Sequence, residues 1–292
     1  MGTFEGAWTA LVTPFRDDAI DERALRDLVE GQIAGGIDGL MPCGTTGESV
    51  NLDDAEFAQL LRIVIDQVKG RIPVVPGVGT ASTRHTLALC AEAKKLRADG
   101  VLVVTPYYSR PTQDGLYAHF RAIVERGGLP VVLYNIPGRC GVDISLPTME
   151  RLAGFQSIVA IKEATGNVSR SMDLIAQFGS RFTVLSGDDA LTLPIMAVGG
   201  RGVVSVASNV VPAEVSKLVD LALAGSWDDA RAQALRLRPL FDVLFIEASP
   251  GPAKAAMVMQ RRIAPEIRLP MVMPGDAAQT KLRSVLAKLG AL

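Results

Sequence analysis

The amino-acid sequence predicts an α/β protein, a closed (β/α)8 TIM barrel with a C-terminal helical appendage. Three observations predict it: eight short β-branched runs, a helix-like segment after each run, and strands that are apolar throughout. Alternating strands and helices indicate parallel βα units, and continuously apolar strands are typical of a sheet buried on both faces. Eight such units in 292 residues fit a closed barrel better than an open doubly wound sheet.

The elements follow one another in regular order. The strand candidates are runs rich in Val, Ile and Leu that begin at residues 8, 39, 72, 100, 130, 157, 182 and 202. The segments between them have apolar residues at helical spacing and span 22–35, 53–69, 82–97, 114–126, 145–153, 167–178, 189–197 and 212–224. Each strand is therefore expected to lead into the helix that covers it.

After residue 225 the pattern changes, and no convincing strand follows. Three further helices are predicted at 226–241, 250–264 and 275–290, separated by "ASPGP" and "LPMVMPG". We expect a catalytic barrel over residues 1–225 and a C-terminal helical region over residues 226–292. The second part reads as an appendage packed on the barrel rather than as a separate catalytic domain.

Composition and charge exclude several classes of protein. The formal net charge of −1 offers no basic surface for nucleic acid or for an anionic membrane. No apolar run approaches transmembrane length, and "MGTFEGAWTALVTPF" lacks the basic start of an export signal. Cys43, Cys90 and Cys140 are dispersed, as is usual for reduced thiols. We expect a soluble, cytoplasmic protein.

Polar residues gather where the predicted strands end. In a TIM barrel the active site forms at the C-terminal ends of the strands. Residues at or just beyond these ends are Thr45, Thr46, Tyr107, Tyr108, Tyr134, Arg139, Lys162, Ser186, Gly187, Val204 and Ser205. Hydroxyls, phenols, one guanidinium and one amine are thus expected to converge on one mouth of the barrel.

Lys162 is the candidate nucleophile of this set. A solvated lysine has a pKa of about 10.4 and cannot attack a carbonyl at neutral pH, but burial lowers that pKa and frees the lone pair for Schiff-base formation. The alternative is a strand-end lysine that reaches solvent or pairs with Glu163. Strand alternation directs Glu163 to the opposite face, which favours the nucleophile.

The neighbouring hydroxyls suit the same chemistry. Tyr134 and Tyr108 could be ordinary core tyrosines, yet a Schiff-base enzyme must move protons, and phenols linked through Thr45 can do so. The glycines of "GTTGE" permit a simple strand-to-helix turn, and they also leave N–H groups free to hold a carboxylate. Arg139 is either a solvated surface charge or a bidentate grip on a carboxylate.

Other chemistries find little support in the sequence. His85 and His119 are the only histidines, and neither belongs to an HxH or HExxH pattern, so a metal site is not expected. The motifs GxGxxG, GxxxxGK[ST] and GxSxG are absent. The glycines of "SGDD" and "GGRG" only faintly suggest a phosphate site. We expect no cofactor beyond the covalent Schiff base on Lys162.

Several motifs in fixed order resemble one known family. "GLMPCGTTGES", "YNIPGRCGVD" and "AIKEATG", with "TPYYSRPTQDGLYAHF" and "GVVSVASNVVP", are similar to the dihydrodipicolinate synthase family of class I, pyruvate-dependent lyases and synthases. The likeness extends over essentially the whole chain. Each motif alone is moderately specific, whereas their order and spacing together are highly specific.

The resemblance implies a catalytic role for four residues. Lys162 is expected to form the Schiff base with pyruvate. Tyr134 is expected to act as general acid and base, relayed through Thr45 to Tyr108. In the family this last tyrosine comes from a neighbouring subunit, so the resemblance also implies a homotetramer built as a dimer of dimers.

The resemblance further implies the substrates and the residues that hold them. Thr46, with the chain near Gly187 and Val204, is expected to hold the pyruvate moiety, and Arg139 the carboxylate of L-aspartate 4-semialdehyde. The enamine attacks the aldehyde, and the substrate amine then closes the ring and releases Lys162. This is a step of diaminopimelate and lysine biosynthesis.

The chain also departs from the family pattern. Cys140 stands where a threonine or serine is usual, a change that should spare the mechanism. The feedback pocket for lysine looks altered at Asp54, Phe57, Ala81 and His85, whereas Tyr107 and Ser49 are retained. We therefore expect weak or absent inhibition by lysine.

Two alternatives remain open. N-acetylneuraminate lyase and the 2-keto-3-deoxy-sugar-acid aldolases or dehydratases share the lysine, the tyrosine and the barrel. Thr45 together with Arg139 favours the synthase. In a different class, the chain could be a non-catalytic sensor of small molecules, which would form no adduct at Lys162.

Overall fold

The computed structural model describes residues 4–292 and confirms the predicted barrel. Seven parallel strands of this range form one sheet in the order β4-β1-β9-β8-β7-β6-β5, and β2 pairs with β3 in a small hairpin. The strands are β1 (Gly6–Ala10), β2 (Phe15–Arg16), β3 (Ala19–Ile20), β4 (Gly39–Met41), β5 (Val101–Val104), β6 (Val131–Asn135), β7 (Ile158–Glu163), β8 (Thr183–Ser186) and β9 (Gly202–Ser205). The first strand lies beside the last, with Trp8 opposite Val204.

The gap between β4 and β5 is closed by residues 73–78, where the sequence predicts the third strand. Val75 N–H donates to Leu40 O at 2.8 Å on one side, and Leu102 N–H donates to Pro76 O at 2.8 Å on the other. Pro73 and Pro76 have no N–H to donate, so this segment forms isolated bridges instead of a regular ladder. The eighth position of the barrel is therefore filled, in irregular form.

The helices follow the predicted order. They are α1 (Glu22–Ala34), α2 (Asp54–Val68), α3 (Thr83–Lys95), α4 (Gln113–Arg126), α5 (Pro137–Cys140), α6 (Leu146–Ala153), α7 (Val168–Phe178), α8 (Thr192–Ala197), α9 (Pro212–Leu223), α10 (Trp227–Val243), α11 (Gly251–Met259) and α12 (Asp276–Leu289). Several begin at a side chain that caps the free N–H groups of the first turn, and Asp53 forms a complete capping box with Glu56. The structure adds α5 and the β2–β3 hairpin to the predicted elements.

Side chains alternate between two apolar layers. Val132 and Tyr134 of β6 belong to the cluster inside the barrel, whereas Val131 and Leu133 belong to the layer between sheet and helices. The same alternation on β7 places Ala160 inside. Since side chains two residues apart share a face, Lys162 also faces the barrel interior, at the end where β7 stops.

The C-terminal helices pack on the barrel, as predicted. Helix α10 contacts α9 and α8, and α12 packs across α10 and α11. Within residues 4–292, no helix combines the length and the apolar character that crossing a membrane requires.

Candidate active site

Lys162 lies at the bottom of the barrel mouth. It is buried, with 6% of its surface exposed, and it stands opposite Tyr134 in the register of β6 and β7. Its Nζ lies 4.1 Å from the centroid of the Tyr134 ring. The amine and the phenol are therefore held side by side by two paired strands, which are the most rigid supports that the fold offers.

The surroundings of Lys162 favour its neutral form. Burial is the largest influence and lowers the pKa, the nearby Asp189 carboxylate raises it, and the Arg139 guanidinium lowers it again. Together they lower the pKa of Lys162 to about 7. A large fraction of the amine is then unprotonated at neutral pH, as a nucleophile requires.

Tyr134 and Thr45 form the polar pair above the amine. Tyr134 is 5% exposed, and burial raises the pKa of its phenol, while a hydrogen bond with Thr45 acts in the opposite direction. The phenol therefore stays protonated at neutral pH and can donate its proton. The structure brings Lys162, Tyr134 and Thr45 together, as the sequence predicted.

A cavity of about 370 Å³ opens over this pair. Its lining includes Thr45, Tyr134, Tyr107, Arg139 and Cys140. Arg139 belongs to the short helix α5 that follows β6, so the exposed guanidinium stands at the rim. The site thus combines an apolar wall with a few polar groups and one cation, a pattern suited to a small anionic substrate.

Gly187, Val204 and Thr46 complete the predicted binding set. A Cβ on Gly187 would lie 2.6 Å from Ala164 Cβ and 3.2 Å from Lys162 Cγ, so a residue without a side chain is needed beside the lysine. Val204 faces the barrel interior, and Thr46 is buried in the loop after β4. All three lie at the strand ends where the sequence predicts them.

Tyr108 does not join the other catalytic candidates within one chain. Its surface is 94% exposed, and its backbone has a left-handed conformation with φ +72°. Tyr107, the preceding residue, lines the cavity instead. A large aromatic ring presented to solvent in this way is free to contact another copy of the chain.

Glu163 points away from Lys162, which confirms the expectation from strand alternation. Its carboxylate is buried and forms an ion pair with Arg170 at 3.1 Å. The same carboxylate accepts hydrogen bonds from the Thr165 N–H at 2.8 Å and from Asn135 Nδ2 at 3.2 Å. Glu163 therefore links β7 to β6 and α7 on the outer face of the barrel.

Asp189 is a site residue that the sequence prediction missed. It is buried and accepts hydrogen bonds from Ser205 Oγ at 2.5 Å and from the N–H groups of Val206 and Ala207, both at 3.0 Å. Its negative charge partly offsets the cost of a cationic Lys162. The motif "SGDD" places two aspartates after the seventh predicted strand, but it does not show that Asp189 turns towards Ser205 and the N–H groups that follow it.

The residues that the sequence assigns to a feedback pocket for lysine lie in two groups, Asp54 with His85 and Tyr107 with Ala81. Asp54 Oδ1 and His85 Nε2 lie 2.8 Å apart at the surface. Burial raises the pKa of the Tyr107 phenol, and the backbone of Ala81 acts in the opposite direction. Phe57 is buried in α2. The Asp54 and His85 side chains are therefore bound to each other rather than to separate partners.

The second histidine, His119, is buried away from the candidate site. His119 is buried in α4, its Nδ1 lies 2.9 Å from Thr83 Oγ1, and burial lowers its pKa to about 4. Across residues 4–292, no group of three or more His, Cys, Asp or Glu side chains is placed to hold a metal ion.

Comparisons with known proteins agree with this geometry. The sequence profile of the Dihydrodipicolinate synthetase family matches residues 3–289. A 4-hydroxy-tetrahydrodipicolinate synthase of Pelobacter propionicus is 48% identical over 287 residues, which cover 98% of this chain and 99% of that protein. The dihydrodipicolinate synthase structure from Aquifex aeolicus has a TM-score of 0.97 at 44% identity and covers 99% of both chains.

The structure of a third similar protein contains a ligand. The structure of a dihydrodipicolinate synthase from Acinetobacter baumannii, complexed with pyruvate, has a TM-score of 0.97 at 39% identity. It covers 99% of this chain and all of that chain (100%). The profile match, the near-complete coverage and the shared fold lead to one conclusion: the chain belongs to the dihydrodipicolinate synthetase family.

Proposed function

We propose that this chain catalyses the reaction of 4-hydroxy-tetrahydrodipicolinate synthase, the condensation of pyruvate with L-aspartate 4-semialdehyde. One observation carries the proposal. A buried lysine with a pKa lowered to about 7 lies against a protonated phenol, beneath a cavity that has a guanidinium at its rim. The name of the Pelobacter propionicus relative and the pyruvate in the Acinetobacter baumannii structure support the choice of substrates.

The first half of the reaction uses Lys162 and Tyr134. The neutral Nζ attacks the C2 carbonyl of pyruvate, and Tyr134 donates a proton to the oxygen as the carbinolamine forms. Loss of water gives the protonated Schiff base, and removal of a proton from C3 gives the enamine. Thr45 shares the phenol's hydrogen bond, so it can return protons to Tyr134 between steps.

The second half joins the two substrates. Arg139 binds the carboxylate of L-aspartate 4-semialdehyde in bidentate fashion, and the enamine carbon attacks the aldehyde, whose oxygen takes up a proton. The substrate amine then adds to the Schiff-base carbon and expels Lys162, which regenerates the free amine. The iminium of Lys162 serves as the electron sink, so the scheme requires neither a metal nor an organic cofactor.

Pyruvate is expected to lie between the loop after β4 and the ends of β8 and β9. Thr46 is buried in that loop, Val204 faces the barrel interior, and Gly187 lies beside Lys162. The residues proposed to hold the substrate thus lie on or just after β8, β9 and β4, which follow the strand of Lys162 in one direction round the barrel.

The exposed Tyr108 supports an oligomer in which each chain supplies this ring to the site of a neighbour. We propose a homotetramer made of two such dimers, working in the cytoplasm. Within each chain, the catalytic barrel comprises residues 1–225 and the C-terminal helical region comprises residues 226–292. Helix α10 begins at Trp227, just beyond this boundary.

A substrate comparison tests the proposed function. The purified chain is assayed with pyruvate and L-aspartate 4-semialdehyde, with product formation coupled to a reductase, and in parallel with N-acetylneuraminate and 2-keto-3-deoxy-sugar acids. We expect turnover with the semialdehyde and little with the sugar acids. A preference for a sugar acid would replace the synthase by one of its related aldolases.

The altered pocket leads to a second expectation, weak or absent inhibition by lysine. Asp54 and His85 are hydrogen-bonded to each other, and the buried Phe57 offers no polar group to a second amino acid. Initial rates at increasing lysine concentration test this. An inhibition constant in the low-micromolar range would refute it.

A further inference from the structure

A buried ion pair joins the C-terminal helical region to the loop that carries Thr45. Lys254 of α11 and Glu48 of the loop after β4 lie 2.5 Å apart, Nζ to Oε1, with side-chain exposures of 0% and 1%. The second oxygen of Glu48 accepts a hydrogen bond from the Arg268 N–H at 3.0 Å. Both oxygens of this carboxylate are therefore held by groups from residues 226–292.

Glu48 is directly coupled to the catalytic loop. Its backbone N–H donates to Thr45 O at 3.1 Å, and the preceding Gly47 O accepts a hydrogen bond from Thr13 Oγ1 at 2.7 Å. The backbone of Glu48 is left-handed, with φ +56°, a conformation that non-glycine residues adopt only where the surroundings impose it. The placement of Glu48 therefore helps to set the turn that carries Thr46 and presents Thr45 to the cavity.

A contribution to folding stability alone does not explain why Lys254 and Glu48 form a buried ion pair. Buried ion pairs commonly contribute no more to stability than apolar side chains of the same volume, whereas one unpaired buried charge is strongly unfavourable. Lys254 Nζ also lies 4.6 Å from the centroid of the buried Phe15 ring, so its head group has a single defined place. A charge pair of this kind specifies position.

We propose that Lys254 and Glu48 are positioning residues for the active-site loop. They act through Thr45, whose carbonyl accepts the Glu48 N–H and which lines the same cavity as Tyr134. In this way they make the C-terminal helical region a functional part of the site. The inference rests on the proposed function, because it assigns the pair to the proton relay of that reaction.

Three variants test the inference: Lys254→Met, the double variant Glu48→Gln/Lys254→Met, and the control Arg236→Met. Arg236 pairs with Glu214 at 2.5 Å and also joins the C-terminal helical region to the barrel, through α10 and α9. For each variant we measure kcat, KM for pyruvate, and the fraction of Lys162 that borohydride traps with pyruvate at completion.

In Lys254→Met we expect kcat to fall about tenfold to a hundredfold, because small displacements of a catalytic group have effects of this size. The trapped fraction should stay unchanged, since Lys162 itself is not moved. The double variant should stay within about threefold of the reduced kcat of the single variant, because it removes the unpaired buried charge but does not restore the ion pair that positions the loop. The control should keep the wild-type kcat.

A wild-type kcat in Lys254→Met, or a double variant that recovers the wild-type kcat, would overturn the inference. If Lys254→Met does not fold, Glu48→Gln, which keeps the volume of the side chain, must show the loss of kcat, and a wild-type kcat there overturns the inference equally. A wild-type chain that forms no adduct at Lys162 would overturn the proposed function and this inference with it.

Discussion

Lys162 is placed where an amine is useful for catalysis and unfavourable for folding. Its pKa of about 7 lies far below the ordinary value of 10.5, and burial is the main cause. At about 1.4 kcal/mol per pKa unit, the charged form costs a few kcal/mol in the folded state. Asp189, held by three hydrogen bonds, offsets part of this cost.

This placement predicts a pH-dependent gain in stability for Lys162→Met. Below pH 7 the lysine is charged in both states, and the folded state bears the full cost of burial. Between about pH 7 and 10.5 the folded state releases the proton first, so the cost shrinks, and above that range it vanishes. We expect the variant to be more stable by a few kcal/mol at pH 6 and by progressively less towards pH 10.

Urea unfolding of both proteins at a series of pH values measures this difference. A gain that does not change with pH would contradict the assignment of the lowered pKa to Lys162.

Tyr134→Phe removes the proposed proton donor and leaves the ring that packs against Lys162. General acid–base groups contribute about a hundredfold to ten-thousandfold to rates, so we expect kcat to fall within that range. Circular dichroism and the thermal midpoint should stay close to wild type. A variant with more than about a third of the wild-type kcat would show that another group moves the protons.

Sequence reasoning reached the site residues that depend on strand alternation. The opposite directions of Lys162 and Glu163 follow from the period of a strand, and the structure confirms them. Asp189 was missed because its role depends on contacts with Ser205 and the following N–H groups, which lie on the next strand in space. No local pattern in the sequence reports that proximity.

At the scale of elements, the irregular third strand is the clearest difference from expectation. The apolar run at 72–78 has the composition of a buried strand, but Pro73 and Pro76 remove two donors from its ladder. The segment still bridges β4 and β5, because carbonyl groups and the remaining N–H groups suffice for isolated pairs. The sequence therefore predicted the position of the third strand correctly, but the regular strand that it predicted is not formed.

The end of β8 shows how tightly neighbouring elements approach at the site. In Gly187→Ala the new methyl group would meet Ala164 Cβ at 2.6 Å and Lys162 Cγ at 3.2 Å. Overpacking of this kind costs about 1–3 kcal/mol. We expect that loss in unfolding experiments, together with slower trapping of pyruvate by Lys162.

Gly138→Ala is the matched control for this prediction. Gly138 lies in α5, and a Cβ there would meet nothing within 4 Å. The free energy of unfolding of this variant should equal that of the wild type or exceed it by up to about 1 kcal/mol, since alanine favours a helix. Equal effects of the two variants would show that the close approach to Lys162 is unimportant.

At the scale of the whole molecule, Tyr108 lies outside the candidate site of its own chain. Tyr108 is 94% exposed and stands apart from Tyr134 and Thr45, which the family resemblance links to it. Sequence alone could not distinguish a tyrosine that folds back from one that is presented outward. An assembly in which neighbours exchange this ring would complete both sites.

Complementation between two defective chains tests that exchange. Tyr108→Ala keeps Lys162, and Lys162→Ala keeps Tyr108, so a mixed dimer contains one complete site. After dissociation and random reassembly of equal amounts, we expect activity to recover to about a quarter of wild type. Lys162→Ala mixed with Tyr134→Phe is the control, because both changes affect residues of the same chain's site.

Recovery in the control mixture, or no recovery in the Tyr108 mixture, would contradict the shared site. The second result would leave Tyr108 as a surface residue.

The central claim is that Lys162 is a covalent nucleophile made reactive by burial. Its most direct test is borohydride trapping with pyruvate over a range of pH, with the modified peptide identified by mass spectrometry. We expect a single adduct on the peptide that contains Lys162, formed at an initial rate that rises through a midpoint near pH 7, the pKa of the amine. An adduct elsewhere, no adduct, or a rate that rises only near pH 10.5, the ordinary lysine pKa, would contradict the account.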